Sequence, residues 1–414
     1  MSPMSNSLRW GLFITLCVAG VFNAMDRPII AILKPEMSAD FGWDDEDFGR
    51  LGFYTQMTAA FSFLVTGWLI DRLGVRRSMA IGVTAWSLAA IAHGWAVAAW
   101  HVVAARIGLG ATEAIQTPLT IKTVATLFAP DLRSFAIGVG TFIAGLGAIA
   151  LPILIPPMVA AFGWRGALVF AGLGGFVALA IWWLLARGVT FDDAAEDETL
   201  DYNDDAQPYG PVLTERRSWA IIVAKALSDS TWWFLNFWLA DFFRKQFGFT
   251  TEQVAVTYAI AFAGSALGAF GFGWLSTHLL QRGVAVNRVR KGIMLVSATL
   301  VLSMFAAFYL QNPWHVALLM AVVLAAHQGF SLSLFSTITD VVPRDKVGRV
   351  TALGACAGNF AGAGIVWLTG ALLTAQIGYG PIFAFAAVSY LLALAWLHLL
   401  LPEIRRNRGA QPAL

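Results

Sequence analysis

Glu113 stands in the middle of a long apolar stretch, and Arg106 lies seven residues before it. On a helix that spacing is two turns, about 10 Å, and puts both side chains on one face. A second pair, Asp26 and Arg27, interrupts the first apolar stretch. A charge at the centre of a bilayer costs roughly 2.5–3.5 kcal/mol on insertion scales, so four of them facing lipid would be prohibitive. They must instead line a watery cavity, where such groups pair, bind an ion or carry a proton. Asp26 and Arg27 are adjacent, so on a helix they point about 100° apart, and at least one must meet a partner on another helix. Guanidinium forks match a carboxylate at two points, which makes Arg27 and Arg106 candidates for binding an anionic substrate. Asp26 and Glu113 are then candidate proton carriers. A carboxylate removed from water holds its proton more tightly, and an approaching arginine loosens it. A substrate competing for the arginine would change carboxylate protonation, which is coupling. The plainer alternative is an ion-pair network that only ties helices together.

The elements that would position these groups are membrane helices. The chain of 414 residues is 58% hydrophobic and 13% charged, with 17 Trp, and apolar segments long enough to span recur throughout it. A span needs about 20 residues. Twelve such segments can be read, the first near 9–33 and the last near 380–401. Several are long enough that tilted or bent helices are expected. The segment after Arg9 carries Asp26 and Arg27 and lacks an A-x-A-like cleavage site, so it reads as the first membrane helix rather than a leader. Basic residues cluster at one set of loops: Arg72, Arg76 and Arg77, then Arg282, Arg288, Arg290 and Lys291, and finally Arg405, Arg406 and Arg408. The opposite set holds Lys34, Arg165, Arg244 and Lys245. The asymmetry predicts both termini in the cytoplasm, in a cell (inner) membrane. The net charge of +2 says nothing about nucleic acid, and there is no basic stripe of the kind a binder needs. Cys17 and Cys356 both lie inside spans and read as small packing residues, with no disulfide framework and no metal site.

Between the sixth and seventh helices runs the acidic, Pro/Gly-punctuated stretch GVTFDDAAEDETLDYNDDAQPYGPVLTERR, a solvated linker. It divides the chain into a six-helix bundle at 1–187, a cytoplasmic linker at 188–217 and a second six-helix bundle at 218–414. The halves echo each other. GWLIDRLGVRR, with Gly67, Asp71, Arg72, Gly74 and Arg76, ends helix two, and GWLSTHLLQRG, with Thr277 in place of the acid, ends helix eight. A repeat at matching places in two six-helix halves marks parallel-repeat carriers, whose single site lies at the interface of the halves. GWLIDRLGVRR resembles the loop motif of the major facilitator superfamily. Physically, Gly67 and Gly74 allow close helix approach and a sharp turn, Asp71 can cap or pair across to the other half, and the arginines hold the loop at the cytoplasmic surface. Such a latch would stabilise an outward-open state, more strongly on the N-terminal half, where the acid is kept.

On helix four, Gly108 and Gly110 thin the helix between the two charges, and Pro118 can bend it below them. On helix seven, Lys225 and Asp229 are four apart on one face and read as an internal ion pair. His327, Gln328, Ser331, Ser333, Ser336 and Thr337 on helix ten and Asn359 on helix eleven could bond substrate hydroxyls, although Ser and Thr more often bond back to helix carbonyls or across helices. Gly354, Gly358 and Gly362 have small-xxx-small spacing suited to close packing.

Four longer stretches narrow the resemblance: MDRPIIAILKPEMSADFGW, ARIGLGATEAIQTPLTIKTVATLF, KALSDSTWWFLNFWLADFFRKQFG and TDVVPRDKVGRVTALGACAGNFAGAG. Together they are similar to the anion:cation symporter family, and to its bacterial hexuronate-transporter-like branch, over nearly the whole chain except the linker and tails. The resemblance implies proton-coupled import of an organic anion, often a sugar acid. It implies proton-coupling roles for Asp26 and Glu113, anion binding by Arg27 and Arg106, and substrate contact by Asn359. The departures matter. Ala59 stands where that branch usually has a cavity tyrosine, Gln116 replaces an asparagine, Thr141 and Gly145 replace helix-five asparagines, and Ala240 replaces a proline. The cavity keeps its carboxylate machinery and loses hydroxyl-reading groups, which suits a less hydroxylated, bulkier or more apolar acid. Tyr54 and Gln56 are candidates to compensate, and Gln116, Gln328 and Ser333 complete the expected substrate contacts.

The expected activity is proton-coupled symport of a sugar acid or related monocarboxylate by alternating access, working as a monomer in a lipid bilayer. No cofactor is called for beyond the coupling proton, with sodium left open. The alternative is a drug or metabolite:proton antiporter of the same fold, which would carry acids but few cations in its cavity. An enzyme is not expected. No phosphate loop, HExxH or nucleophile elbow occurs, and GLGATE and GLGGF sit inside apolar helices with no strand before them.

Overall fold

Apolar runs with helix-forming residues and few β-branched clusters fold here as long helices, and no strand occurs among the described residues. The structure is a computed structural model that describes residues 4–128, 130–187, 189 and 209–404. The helices are α1 (Asn6–Ile32), the short α2 (Lys34–Phe41), α3 (Asp45–Ala92), α4 (Ala99–Glu113), α5 (Gln116–Leu127), α6 (Pro130–Leu185), α7 (Gly210–Leu213), α8 (Arg216–Phe247), α9 (Thr251–Gln281), α10 (Val286–Leu302), α11 (Pro313–Val341), α12 (Arg344–Thr374) and α13 (Gly380–Leu400). Most of the acidic linker lies outside the described residues.

Two of these helices are each a pair of spans joined by one residue. α3 turns at Gly74 (φ 70°, ψ 168°) and α6 at Gly163 (φ 68°, ψ 176°). That corner of backbone space is essentially open to glycine alone. The expected sharp turn at Gly74 is therefore present, and Gly163 supplies a second that the sequence reading did not single out. Gly67, expected to allow close approach, does not: a Cβ there would meet nothing within 4 Å. Its place on the helix faces open space. Helix four is interrupted in its hydrogen bonding at Ala114 and Ile115, which keep right-handed helical dihedrals. α4 stops at Glu113 and α5 starts at Gln116. Pro118 lacks an N–H, and its ring displaces the carbonyl four residues back, at Ala114, which is where the interruption falls.

Seven helices are long and apolar enough to cross a membrane on length and composition alone. α6 crosses twice, α3 adds two crossings with charged residues at its elbow, and α4 with α5 adds an interrupted one. α8, which carries Lys225, Asp229 and Asp241, is the twelfth crossing among the described residues.

The described chain groups into two compact units, one of Met1–Trp43 with Met57–Asp201, the other of Asp44–Gln56 with Tyr202–Leu414. The first three turns of α3 thus belong with the second unit, where the sequence boundary had placed them in the first bundle. In each unit the first span packs on the fifth and sixth: α1 on α6, and α8 on α12 and α13. Glycines make these approaches possible. A Cβ on Gly147 would come within 2.7 Å of Val21, and one on Gly362 within 2.2 Å of Trp233. α9 and α11 meet more closely still, with Gly264 and Gly268 against the backbones of Ala321 and Ala325. In lipid such contact, rather than a hydrophobic drive, holds helices together. Cys17 and Cys356 are buried and free.

The elbow after Gly163 is pinned to its surroundings. Arg165 donates to the Ala96 carbonyl at 3.0 and 2.9 Å and to Asp40 Oδ2 at 2.6 Å, and Trp164 Nε1 donates to the same oxygen at 2.8 Å. The Trp164 bond first, then Arg165, hold the Asp40 carboxyl below its ordinary range. A lowered carboxyl contributes stability above its unfolded pKa, so this small, exposed contribution is present at neutral pH and fades as the pH falls below about 4. Gly163→Ala isolates the cost of the elbow. The added Cβ meets nothing within 4 Å, so backbone strain alone should destabilise the protein by about 1–3 kcal/mol. Thermal unfolding in detergent would register this as a lowered midpoint, and an unchanged midpoint would refute it.

Candidate functional site

In the first unit the charges come together across helices. Arg27, on α1 one residue before the helix proline Pro28, donates through Nη2 to Glu113 Oε2 at 2.5 Å. Glu113 is 6% exposed and ends α4. A helix C-terminus carries partial negative charge and disfavours a carboxylate there, and the Arg27 guanidinium offsets this. Arg106, seven residues earlier on α4, is 1% exposed and among the largest fully buried side chains. A half-buried guanidinium thus meets a buried carboxylate across two helices, and a second, fully buried guanidinium lies two turns earlier on α4. A buried pair of this kind is costly to disrupt from one side only, because the remaining charge is stranded. The Asp26 side chain, the other expected proton carrier, lies outside the described residues.

Gln116, read as a substrate contact, links two helices through its amide nitrogen. Its Nε2 donates to the Leu16 carbonyl at 3.3 Å and to Thr120 Oγ1 at 3.4 Å, bridging α5 to α1 where Gly20 leaves room for it. Nearby, an apolar groove of about 450 Å³ between α1 and α6 is lined by Ile14, Phe22, Phe170 and Ile181 but by none of the charged groups. Its hydroxyl, Thr15, is bonded to the Gly11 carbonyl at 2.7 Å, so the groove offers an anion nothing.

The remaining expected contacts belong to the second unit. Tyr54 is exposed and Gln56 buried on α3. Gln328 donates to Ser265 Oγ at 2.8 Å, joining α11 to α9. Ser333 is buried, and its carbonyl accepts from Thr337 at 2.8 Å. Asn359 is buried on α12. Its Nδ2 donates to the Ala355 carbonyl at 2.8 Å, and its Oδ1 has no partner among the described residues.

At the loop motif, Arg72 lies over the Trp68 ring at 5.5 Å and Arg76 is exposed, while the Asp71 side chain lies outside the described residues. In the second copy Thr277 bonds only to its own helix, at the Gly273 carbonyl, 3.1 Å away. The acid missing there is supplied from elsewhere. Arg290 Nε donates to Asp340 Oδ2 at 2.9 Å and Nη1 to Ser276 Oγ at 2.8 Å, tying α9, α10 and α11. The sequence reading missed this pair, which spans 50 residues. The available signal was an acid at the end of an apolar span. A further cluster was also missed: Lys245 pairs with Asp45 at 2.5 Å and Asp241 at 3.4 Å, and the Tyr379 hydroxyl donates to Asp241 at 2.6 Å.

The family model for the Major Facilitator Superfamily matches residues 16–363. The hexuronate transporter of Escherichia coli K12 is 24% identical over 405 residues, covering 93% of this chain and 92% of that protein. The D-galactonate transporter of Escherichia coli O6:H1 is 23% identical, with 95% of each chain covered. Among solved structures, a bacterial homologue of the human lysosomal transporter Spinster, inward-facing and unoccupied, superposes with a TM-score of 0.74 at 18% identity, covering 96% of both chains. A D-xylose-proton symporter gives 0.73 at 14% identity, covering 95% of this chain and 98% of that one. The twelve crossings, the repeated packing of the two units and the family match agree: this chain belongs to the major facilitator superfamily, and is a multi-pass membrane transporter rather than an enzyme.

Proposed function

We propose that this protein imports an organic anion together with a proton across the cell (inner) membrane, with both termini in the cytoplasm. The substrate class is a sugar acid of hexuronate or aldonate type, or a related monocarboxylate. The observation that carries the reading is the Arg27–Glu113 contact at 2.5 Å, with buried Arg106 two turns earlier on the same helix as Glu113. An anion binder and a proton binder in direct contact are what coupling requires. When a substrate carboxylate engages Arg27, Glu113 loses its counter-charge and takes a proton, and release reverses both steps. Asp26 is the second carboxylate proposed for this role. The hexuronate and D-galactonate transporters among the relatives favour a sugar acid. A buried arginine and a half-buried one within the spans speak against a cation exporter, which would present acids alone.

Uptake into proteoliposomes tests the reading. An inward proton gradient should drive accumulation of at least one of glucuronate, galacturonate, galactonate or a simple aromatic or aliphatic acid. A sodium gradient serves as the second arm. In Arg27→Ala the loss of a charge-assisted contact should raise KM about 10- to 100-fold. Efflux of lipophilic cations with no acid uptake would instead establish the antiporter. A second variant separates coupling from binding. Glu113→Gln should lose gradient-driven accumulation while keeping exchange of labelled for unlabelled substrate, since exchange needs no net proton movement. Retained accumulation in Glu113→Gln would remove that residue from the proton path.

A further inference from the structure

Within the second unit a separate charged pair, unused by the mechanism above, lies on α8. Lys225 and Asp229 are 8% and 7% exposed, and Lys225 Nζ donates to Asp229 Oδ1 at 2.9 Å. The ammonium also stands 4.5 Å from the centre of the Phe335 ring on α11. Both residues face a glycine stripe on α12. A Cβ on Gly354 would lie 3.7 Å from Lys225 Cγ, and one on Gly358 would lie 2.3 Å from Asp229 Oδ2. The next residue, Asn359, holds the buried, unpartnered Oδ1. On the adjoining face His327 stacks on Trp232 at 4.8 Å and bonds to the Tyr390 hydroxyl at 2.6 Å, which in turn donates to the Ser228 carbonyl at 3.1 Å.

As structural glue this pair is poor. It joins residues one turn apart on the same helix, which their own backbone already holds, and such pairs are worth only about 0.2–0.5 kcal/mol on a helix surface. Burying both charges costs more than that. What seats α8 on α12 is the glycine stripe. Arg290–Asp340, by contrast, does tie different helices. A buried intrahelical pair next to an unsatisfied acceptor instead keeps a cation neutralised and ready to change partners.

We propose that Lys225 is a substrate-recognition residue, whose ammonium leaves Asp229 to take an oxygen anion of the transported acid. This rests on the organic-anion reading. Asp229 is then the resting counter-ion that competes with substrate, and Phe335 supplies a second weak stabilisation of the ammonium as it moves.

The test is uptake kinetics and detergent melting for Lys225→Arg, Asp229→Asn and the doubly neutral Lys225→Met with Asp229→Leu. The double variant strands no charge, so it should melt near the wild-type temperature. Its KM should rise about 10- to 100-fold, the worth of a charge-assisted hydrogen bond, while Vmax changes far less. Lys225→Arg should keep KM within a few-fold. Asp229→Asn should lower KM, because substrate no longer competes with the carboxylate. A double variant with wild-type KM overturns the proposal and leaves the pair structural. Should the double variant not fold, Asp229→Asn decides: a lowered melting point and Vmax with no fall in KM overturns it equally. Wild-type protein that moves no acid at all overturns the underlying reading instead, and the proposal with it.

Discussion

A charge in the interior of a membrane protein must bring its counter-charge with it, and most of what is distinctive in this chain follows from that constraint. Arg27 and Glu113 meet it across two helices, and Lys225 and Asp229 meet it within one turn of a single helix. Arg290 and Asp340 meet it near the end of a span. The three solutions differ in what happens when the pair opens. Separating Arg27 from Glu113 leaves a guanidinium and a carboxylate side by side, the pair on which the proposed coupling rests. Separating Arg290 from Asp340 only loosens three helices.

The helices that carry these pairs are shaped by where the backbone is allowed to depart from regularity. Pro118 interrupts the hydrogen bonding of helix four directly after Glu113, while the backbone keeps its helical path. Gly74 and Gly163 reverse the chain at single residues. Glycines at the contacts of α1 with α6, α8 with α12 and α9 with α11 let backbones approach to distances that a methyl group would forbid. Because lipid is as apolar as leucine, tight packing at these seams does the work that hydrophobic burial does in water. The same packing keeps polar groups apart from lipid, as where Gln116 fills the space left by Gly20.

The two units follow one packing plan but not one chemistry. In each, the first span lies against the fifth and sixth. The first unit pairs Arg27 with Glu113 and buries Arg106 on the same helix as that carboxylate. The second holds a lysine, an aspartate, a stacked histidine and an asparagine with an open acceptor. Its copy of the loop motif differs likewise: Thr277 bonds back to its own helix, and Arg290 pairs with Asp340.

The amino-acid sequence alone determined the class of the molecule, the twelve crossings, the duplicated loop motif and the identity of the charged residues. These follow from apolar run length, the cost of charge in lipid and spacings within one helix, all local properties. For the same reason the Lys225–Asp229 pair, the glycine stripe at Gly354, Gly358 and Gly362, and the trouble caused by Pro118 were legible. Only the tertiary structure decided which arginine meets Glu113, that Gln116 serves the contact of α5 with α1, that Gly67 faces open space and that Asp340 replaces the missing acid. It also assigned the opening turns of α3 to the second unit. Each of these is a choice of partner between segments tens of residues apart. Helical periodicity says which face a side chain occupies but not which neighbour that face will meet, and that is fixed only when the helices pack.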